Sequence, residues 1–387
     1  MVALDLGDHG LSAAEYARRI WQELGPSIQQ HLRQDGVADV APLTVAGLVD
    51  ANTPPCLEDY QSRLTAVPSA SIVICTRDRP DGLATCLRSL ACLDYPNYEV
   101  IVVDNAPRTE ATVPVVRAFC EAIPRLRYVK EDRPGLSWAR NCGAALAEGD
   151  VIAFTDDDVV VDRHWLSKLV LAFCSHTDVA CVTGLVVPMA LETEAQEWFE
   201  QFGGFGRGFQ MRVFDMIENR PNSPVYPFSC GMIGSGNNMA FKAPILRSIG
   251  FFDPALGAGT ASRGGEDLSA FFSVITAGHK IVYEPAALVH HLHRSSYKDL
   301  HQQMYGYGTG LTAYLAKCLL DNPKRLSTFS TKMPYALVHL LSAHSEKNAK
   351  KSLHYPKELT RIERKGMLYG PFAYIHGLKQ VKQYSHR

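Results

Sequence analysis

The chain has 387 residues, 46% of them hydrophobic, which is enough for one large core with a smaller appendage and too apolar for a disordered chain. Its 39 basic and 40 acidic residues balance, so nothing in the overall charge points to nucleic acid or another polyanion as a partner. Ten cysteines lie scattered without the paired short spacing of a zinc site, "MVALDLGDHG" is no secretory leader, and no apolar run approaches the roughly 20 residues of a membrane span, so the expectation is reduced thiols in a reducing cytosol.

Residues 12–36 predict a helix, with Ser12 and Glu15 as a capping box, Tyr16, Ile20, Leu24, Ile28 and Leu32 on one face, and Gly36 at its end. Pro26 is expected to kink or divide it. "DANTPPC" and "TAVPSA" read as connector, and "SIVICT" as the first strand of the main domain. Leu83, Cys86, Leu87 and Leu90 then mark a helix, "YEVIVVDNAP" a second strand, and residues 113–123 a second helix. "LRYVKE" supplies another strand and "GLSWARNCGAALAEGD" another helix. The unbroken apolar run of "VIAFTDDD" implies a strand buried on both faces. The βαβα rhythm predicts an α/β sheet with nucleotide-site topology.

"VACVTGLVVP" is strand-like, while "FGGFGRGFQ" and "GMIGSGNNMAF" read either as mobile loops around a cleft or as ordinary turns. A helix is expected from Tyr297 to about Leu320 on the spacing of Leu300, Met304, Leu311 and Leu315. Beyond it the tail is basic and interleaved with aromatics. It suits an anionic membrane surface or a solvated helical face packed on the core or on another subunit. The expected domains are a helical extension over 1–68, the α/β domain over 69–297 and a helical, basic and aromatic segment over 298–387.

In an open parallel sheet, ligands bind beyond the carboxyl ends of the strands, so the acids that close strands are the ones to inspect. Asp104 closes "VIVVD", in a "DNAP" that is equally a turn; Asp156, Asp157 and Asp158 close "VIAFT". In extended chain Asp156 and Asp158 project to one side and Asp157 to the other. Like charges so close repel. Hard carboxylate oxygens suit Mg²⁺ or Mn²⁺, with substrate phosphate completing the shell, and three acids in a row favour this over capping a helix at "RHWLSKLV". Glu266 and Asp267 open a helix bearing Leu268, Phe271, Phe272 and Ile275. A carboxylate there stays charged and competent as a base, and plain capping fits the same place. In "ALVHHLHRSS", alternation puts His291 and His293 on one face and His290 on the other, where a metal or diphosphate role is reasonable.

In this order, "SIVICTRDRP", "YEVIVVDNAP", "GLSWARNCGAALAEGDVIAFTDDD", "GNNMAFKAPILRSIGFFDPALG", "GGEDL" and "VHHLHR" resemble the family 2 glycosyltransferases, across about Ser71 to Arg294. The resemblance implies the GT-A fold of nucleotide-diphospho-sugar transferases, a Rossmann-like mixed sheet flanked by helices. It also implies inverting transfer of a sugar from a nucleoside-diphosphate sugar to a hydroxyl of a glycan, lipid-linked or small-molecule acceptor, assisted by Mg²⁺ or Mn²⁺. Thr76 and Arg77 would line the nucleotide pocket, Asp104 would accept a hydrogen bond from the base, and Arg140 would face the nucleotide. The D-x-D pattern falls on Asp156 and Asp158, with Asp158 the direct metal ligand, Asp156 a further ligand or, like Asp157, near the ribose. Asp267 would be the general base, and His291 an additional metal or diphosphate ligand with His293 close behind.

Ser269 and Ser273 stand where the family often has a second Asp and a later Arg, and the Q-x-x-R-W motif and membrane helices of processive synthases do not occur, which favours single-sugar transfer. The expected place is the cytoplasm, with peripheral contact at the inner face of the plasma membrane. Two rival readings fit the residues less well. A nucleotidyltransferase would want a glycine-rich phosphate loop after the first strand, which "CTRDRPDGL" lacks, and a non-catalytic scaffold has no need of Asp158 and Asp267.

Overall fold

A computed structural model describes residues 10–49, 64, 67–123, 125–342, 345 and 347–385. The chain forms two compact units, Met1–Val67 and Pro68–Arg387. The expected "DANTPPC" connector lies outside the described residues.

In the smaller unit, helix α1 (Ala13–Gln34) begins where Ser12 Oγ accepts the Glu15 N–H at 3.3 Å. Pro26 does not divide it: the proline removes one N–H, and the remaining bonds of a 22-residue helix carry it through. The Gln29 amide closes on the Val40 backbone, donating to its carbonyl at 2.7 Å and accepting its N–H at 3.2 Å.

The larger unit alternates strand and helix: β1 (Ala70–Thr76), α2 (Pro80–Leu90), β2 (Tyr98–Asn105), α3 (Thr112–Phe119), β3 (Leu126–Glu131), α4 (Leu136–Leu146) and β4 (Val151–Asp156). β1 and β2 are buried along their whole length and β4 up to Thr155, which is why they read as unbroken apolar runs. There follow β5 (Val159–Val161), α5 (Trp165–Ala172), β6 (Val179–Pro188), α6 (Glu194–Phe202), β7 (Arg212–Phe214), β8 (Asn238–Lys242), α7 (Ala243–Ser248), α8 (Glu266–Thr276) and β9 (Lys280–His291). Among the described residues the unit ends in α9 (Tyr297–Asp321), α10 (Arg325–Leu341) and α11 (Lys357–Ser385).

The sheet runs β3-β2-β1-β4-β8-β6-β9-β5, with β7 also on β9. The first four strands are parallel, β8 is antiparallel to both its neighbours, and β6 and β9 pair in parallel. β1 lies between β2 and β4, so the chain order reverses there and leaves a crevice at the carboxyl edge. Register sets Thr76 opposite Asp104 and Cys75 opposite Asp156, which gathers the strand-end polar residues in one row. At the far edge β5 runs antiparallel to β9 with Val159 opposite His291, and the Leu292 N–H donates to the Asp158 carbonyl at 2.9 Å. Behind the crevice, Phe154 meets Phe252 edge-on at 5.2 Å between ring centres, in the main core.

α9 and α11 pack backbone to backbone. A side chain at Gly308 would run into the Glu363 carbonyl, one at Gly366 into the Tyr305 carbonyl, and one at Gly370 into Thr309 and Thr312. Thr312 Oγ1 donates to the Met367 carbonyl at 2.7 Å across the same seam. The opposite face of α11 exposes Leu368, Tyr369, Phe372 and Ile375 between Lys357, Arg361, Arg364 and Lys365 on one side and Lys379 and Lys382 on the other.

Candidate active site

The carboxyl edge of β1 leads through Thr76, Arg77 and Asp78 to Arg79, which precedes α2 without capping it by its side chain. Its guanidinium turns to the acids instead: one nitrogen, Nη1, lies 2.6 Å from Asp157 Oδ1 and 3.0 Å from Asp158 Oδ2. Thr76 Oγ1 donates to Asp157 Oδ2 at 2.8 Å. The expected placing of Asp157 and Asp158 on opposite sides is therefore corrected. β4 ends at Asp156 and a turn follows, so the two-residue alternation of a strand stops there. Nor are the three charges left to repel one another, since arginines already stand among them.

Burial pushes the Asp157 carboxyl up to about 6, against the attraction of Arg79. Asp158 goes the other way: burial works against its charge, but a protonated His291, Arg79 and Arg294 each favour it and together hold it below the usual carboxylate range. Arg294 Nη2 is 3.8 Å from Asp158 Oδ2. These groups border a cleft of about 240 Å³ lined in part by Thr76, Arg77, Arg79, Asp156, Asp157, Asp158 and Arg294.

Arg140 lies beneath this cleft and is 2% exposed. Its guanidinium donates to Glu266 Oε1 at 2.8 Å, to the Gly236 carbonyl at 2.9 Å and to Asp156 Oδ1 at 3.3 Å. Burial alone would weaken its charge; Asp156 and Glu266 more than offset that and raise its pKa. Glu266 shares the buried site. Burial and then the Asp267 charge push its carboxyl up, and its Oε2 has no hydrogen-bond partner.

Asp267 is the partly exposed acid of the pair. The Gly236 N–H donates to its Oδ2 at 3.0 Å and the Leu268 N–H to its Oδ1 at 2.8 Å. These bonds hold the carboxylate at the start of α8, where the helix favours negative charge. Asp104, opposite Thr76, is fully buried; Tyr128 donates to its Oδ2 at 3.2 Å, while Oδ1 is left without a partner. Burial raises its pKa, against the Thr112 and Tyr128 hydroxyls, which favour the charged form. An orphaned buried acceptor beside a nucleotide-type crevice is a place for a ligand's donor.

His291 reaches the cluster through the β5 and β9 pairing: its Nε2 is 3.5 Å from Asp158 Oδ1. Burial pushes His291 down to about 4, against the pull of Asp158. Its Nδ1 lies 2.8 Å from His293 Nδ1, and His293 Nε2 is 2.9 Å from Glu200 Oε1. His290, paired with Val160, is not part of this chain of contacts. Among the described residues no group of three or more His, Cys, Asp or Glu side chains could hold an ion by itself. Asp158 and His291 offer a carboxylate and an imidazole, which fits a cation completed by a substrate's phosphate oxygens, and Asp156 is turned to Arg140 instead.

Sequence reasoning missed Arg79, Arg294 and Glu200. Arg79 shares "RDRP" with Arg77 and its signal was in view. Glu200 carries none, because the helix that brings it to His293 lies far from it in the chain.

A mixed sheet with its polar residues gathered where β1 separates β2 from β4 defines a GT-A-type α/β fold. Residues 71–242 match the family described as "Glycosyl transferase family 2", and the chain belongs to that family. Over 251 residues it is 30% identical to the pre-mycofactocin glycosyltransferase of Mycobacterium tuberculosis, covering 64% of this chain and 47% of that protein. Over 225 residues it is 32% identical to the succinoglycan biosynthesis protein ExoM of Rhizobium meliloti, covering 57% of this chain and 65% of the other. The chain thus matches about half the length of the mycobacterial relative. The fold is similar to that of the mannosyltransferase PcManGT from Pyrobaculum calidifontis, solved with GDP-Man and Mn²⁺, at a TM-score of 0.50 and 17% identity over 84% of this chain and 93% of that one.

Proposed function

We propose that the chain is an inverting glycosyltransferase that moves one sugar from a nucleoside-diphosphate sugar to an acceptor hydroxyl. The observation that carries this reading is the meeting of Asp158 and His291, 3.5 Å apart, with Asp267 an anchored, partly exposed carboxylate tied through Gly236 to the Arg140 that also holds Asp156.

Thr76, Arg77 and the orphaned Oδ1 of Asp104 would receive the nucleoside, and Asp156 and Asp157 the ribose side of the donor. Asp158 and His291 would hold Mg²⁺ or Mn²⁺, which when bound stabilises negative charge on a departing diphosphate. Arg79 and Arg294 add positive charge at the same edge of the cleft. Asp267 takes the proton of the attacking hydroxyl. Its two N–H donors orient the carboxylate, and attack from the face opposite the leaving group inverts the anomeric centre. Arg140 acts from below, holding Asp156 and Glu266 in place without reaching the donor.

The acceptor would be a glycan, a lipid-linked saccharide or a small molecule, and the enzyme would work in the cytoplasm with peripheral contact at the inner face of the plasma membrane. The outward face of α11 supports the membrane contact, with four exposed apolar side chains flanked by Lys and Arg and Glu358 as the one exposed acid of that helix among the described residues.

The test is release of nucleoside diphosphate from a panel of nucleotide sugars with and without Mn²⁺. Metal-stimulated turnover that Asp158→Asn and Asp267→Asn each abolish is expected; turnover indifferent to both substitutions sinks the reading.

A further inference from the structure

We infer that Glu200 and His293 are positioning residues that fix the tautomer of His291, so that the His291 Nε2 lone pair faces Asp158 as a cation ligand. The ligand role rests on the metal reading proposed above; the hydrogen-bond chain does not.

The chain has four members in line. Asp158 Oδ1 is 3.5 Å from His291 Nε2, His291 Nδ1 is 2.8 Å from His293 Nδ1, and His293 Nε2 is 2.9 Å from Glu200 Oε1. Its protons can be counted. A carboxylate accepts, so His293 donates from Nε2, and a neutral imidazole that donates from one nitrogen accepts at the other. The proton between the two Nδ1 atoms is therefore the property of His291. That leaves His291 Nε2 unprotonated, with its lone pair towards a carboxylate oxygen. Two acceptors facing each other are unfavourable until a cation sits with them, and a ligating histidine whose other nitrogen donates to an outer partner is the common arrangement at metal sites.

The opposite polarity would put a proton on His291 Nε2 and require either a charged imidazolium at His293 or a protonated Glu200, whose side chain is 34% exposed. His293 is 3% exposed and His291 6%, and phenyl edges close on them, Phe199 at 4.7 Å from His293 and Phe205 at 4.9 Å from His291 between ring centres. A charge there is costly, and the neutral chain avoids it.

One helix sets the geometry. Gln196 and Glu200 stand one turn apart on α6, whose capping box has Gln196 Oε1 accepting the Thr193 N–H at 3.1 Å. Gln196 Nε2 then donates to the His293 carbonyl at 3.4 Å, while Glu200 holds the His293 ring. Gly204, at φ 51°, lies against the Glu200 carboxylate where any side chain would displace it.

The experiment uses the metal-free full chain labelled with ¹⁵N-histidine, its ring signals assigned by single substitutions and read by long-range ¹H–¹⁵N correlation. His291 carrying its proton on Nδ1 and His293 on Nε2 is expected; a proton on His291 Nε2 overturns the inference. Mn²⁺ affinity is then measured with a nucleoside diphosphate present. Glu200→Ala is expected to weaken it about 10-fold or more, and Glu200→Gln, whose amide oxygen accepts the same N–H, to restore much of the loss. Unchanged affinity in Glu200→Ala overturns the positioning role. Wild-type protein with the expected tautomers and no Mn²⁺ binding overturns the metal reading and the ligand role with it.

Discussion

Arg140 and Glu266 form a closed ion pair, 2.8 Å from Nη1 to Oε1, with neither residue more than 6% exposed. Removing the cation strands Glu266 and takes from Asp156 its nearest positive partner. Arg140→Ala is expected to cost about 3–5 kcal/mol, the range for breaking a buried pair. Glu266→Gln should cost less, because Arg140 keeps Asp156 and the Gly236 carbonyl. Urea unfolding midpoints at constant slope measure both.

Asp267→Asn preserves the shape of the side chain and removes its basicity. The expected result is a fall in kcat of about 10²–10⁴, with nucleoside-diphosphate affinity close to wild type by calorimetry. Wild-type kcat in this variant would assign the base elsewhere.

Lys351 donates to Asn348 Oδ1 at 2.8 Å and Thr360 Oγ1 at 3.2 Å and stands over the Tyr355 ring. Burial pushes its ammonium down to about 8. Above that value the unfolded chain holds the proton that the folded one has released, so stability from this group rises between pH 8 and the ordinary lysine range of about 10.4. Below pH 8 its cost is constant. Lys351→Met should flatten this part of the stability profile relative to wild type, as read from denaturant unfolding at several pH values; parallel profiles would contradict the shift.

The helix seam predicts two opposite outcomes from the same kind of change. Gly366→Ala forces α11 away from the Tyr305 carbonyl and should destabilise by about 1–3 kcal/mol. Gly306→Ala meets Arg263 Cβ at an ordinary 3.5 Å and should be neutral or stabilise by up to about 1 kcal/mol through helix propensity. Thermal melts of the two variants decide it.

Sedimentation with vesicles tests the outward face of α11. Binding to vesicles containing anionic phosphatidylglycerol is expected, weakened by salt and by Lys365→Glu with Lys379→Glu, and lost with Leu368→Ser and Phe372→Ser. Equal binding by all the variants rules this face out.

The βαβα half was legible because strands buried on both sides cannot hide their apolar runs, and parallel register brings their carboxyl ends together. Asp104 and Asp156 could be placed on that ground alone, and Thr76, named only through the family resemblance, lies opposite Asp104. The meeting of Asp158 with His291 depends on β5, three residues long and too short to declare itself by pattern. The Glu200 contact with His293 is tertiary and leaves no local mark. Arg79 misled in another way: residue type showed it, but only the turn after Asp156 decides which arginine of "RDRP" faces the acids. The glycine spacing of "GYGTG" and "GMLYG" was visible, yet close approach is a property of two helices and neither one announces it alone.

Gly310 places α9 between two dependents. Its backbone touches Gly264 and Gly265, which begin the helix carrying Asp267, while α9 also receives Gly366 and Gly370 of α11. Position in the chain is therefore no guide to dispensability. Trimming the protein after Asp321 would strip α9 of its closest neighbour and leave the support of the proposed base half built, so shortened versions would confuse loss of attachment with loss of catalysis, and the tail is best questioned one side chain at a time.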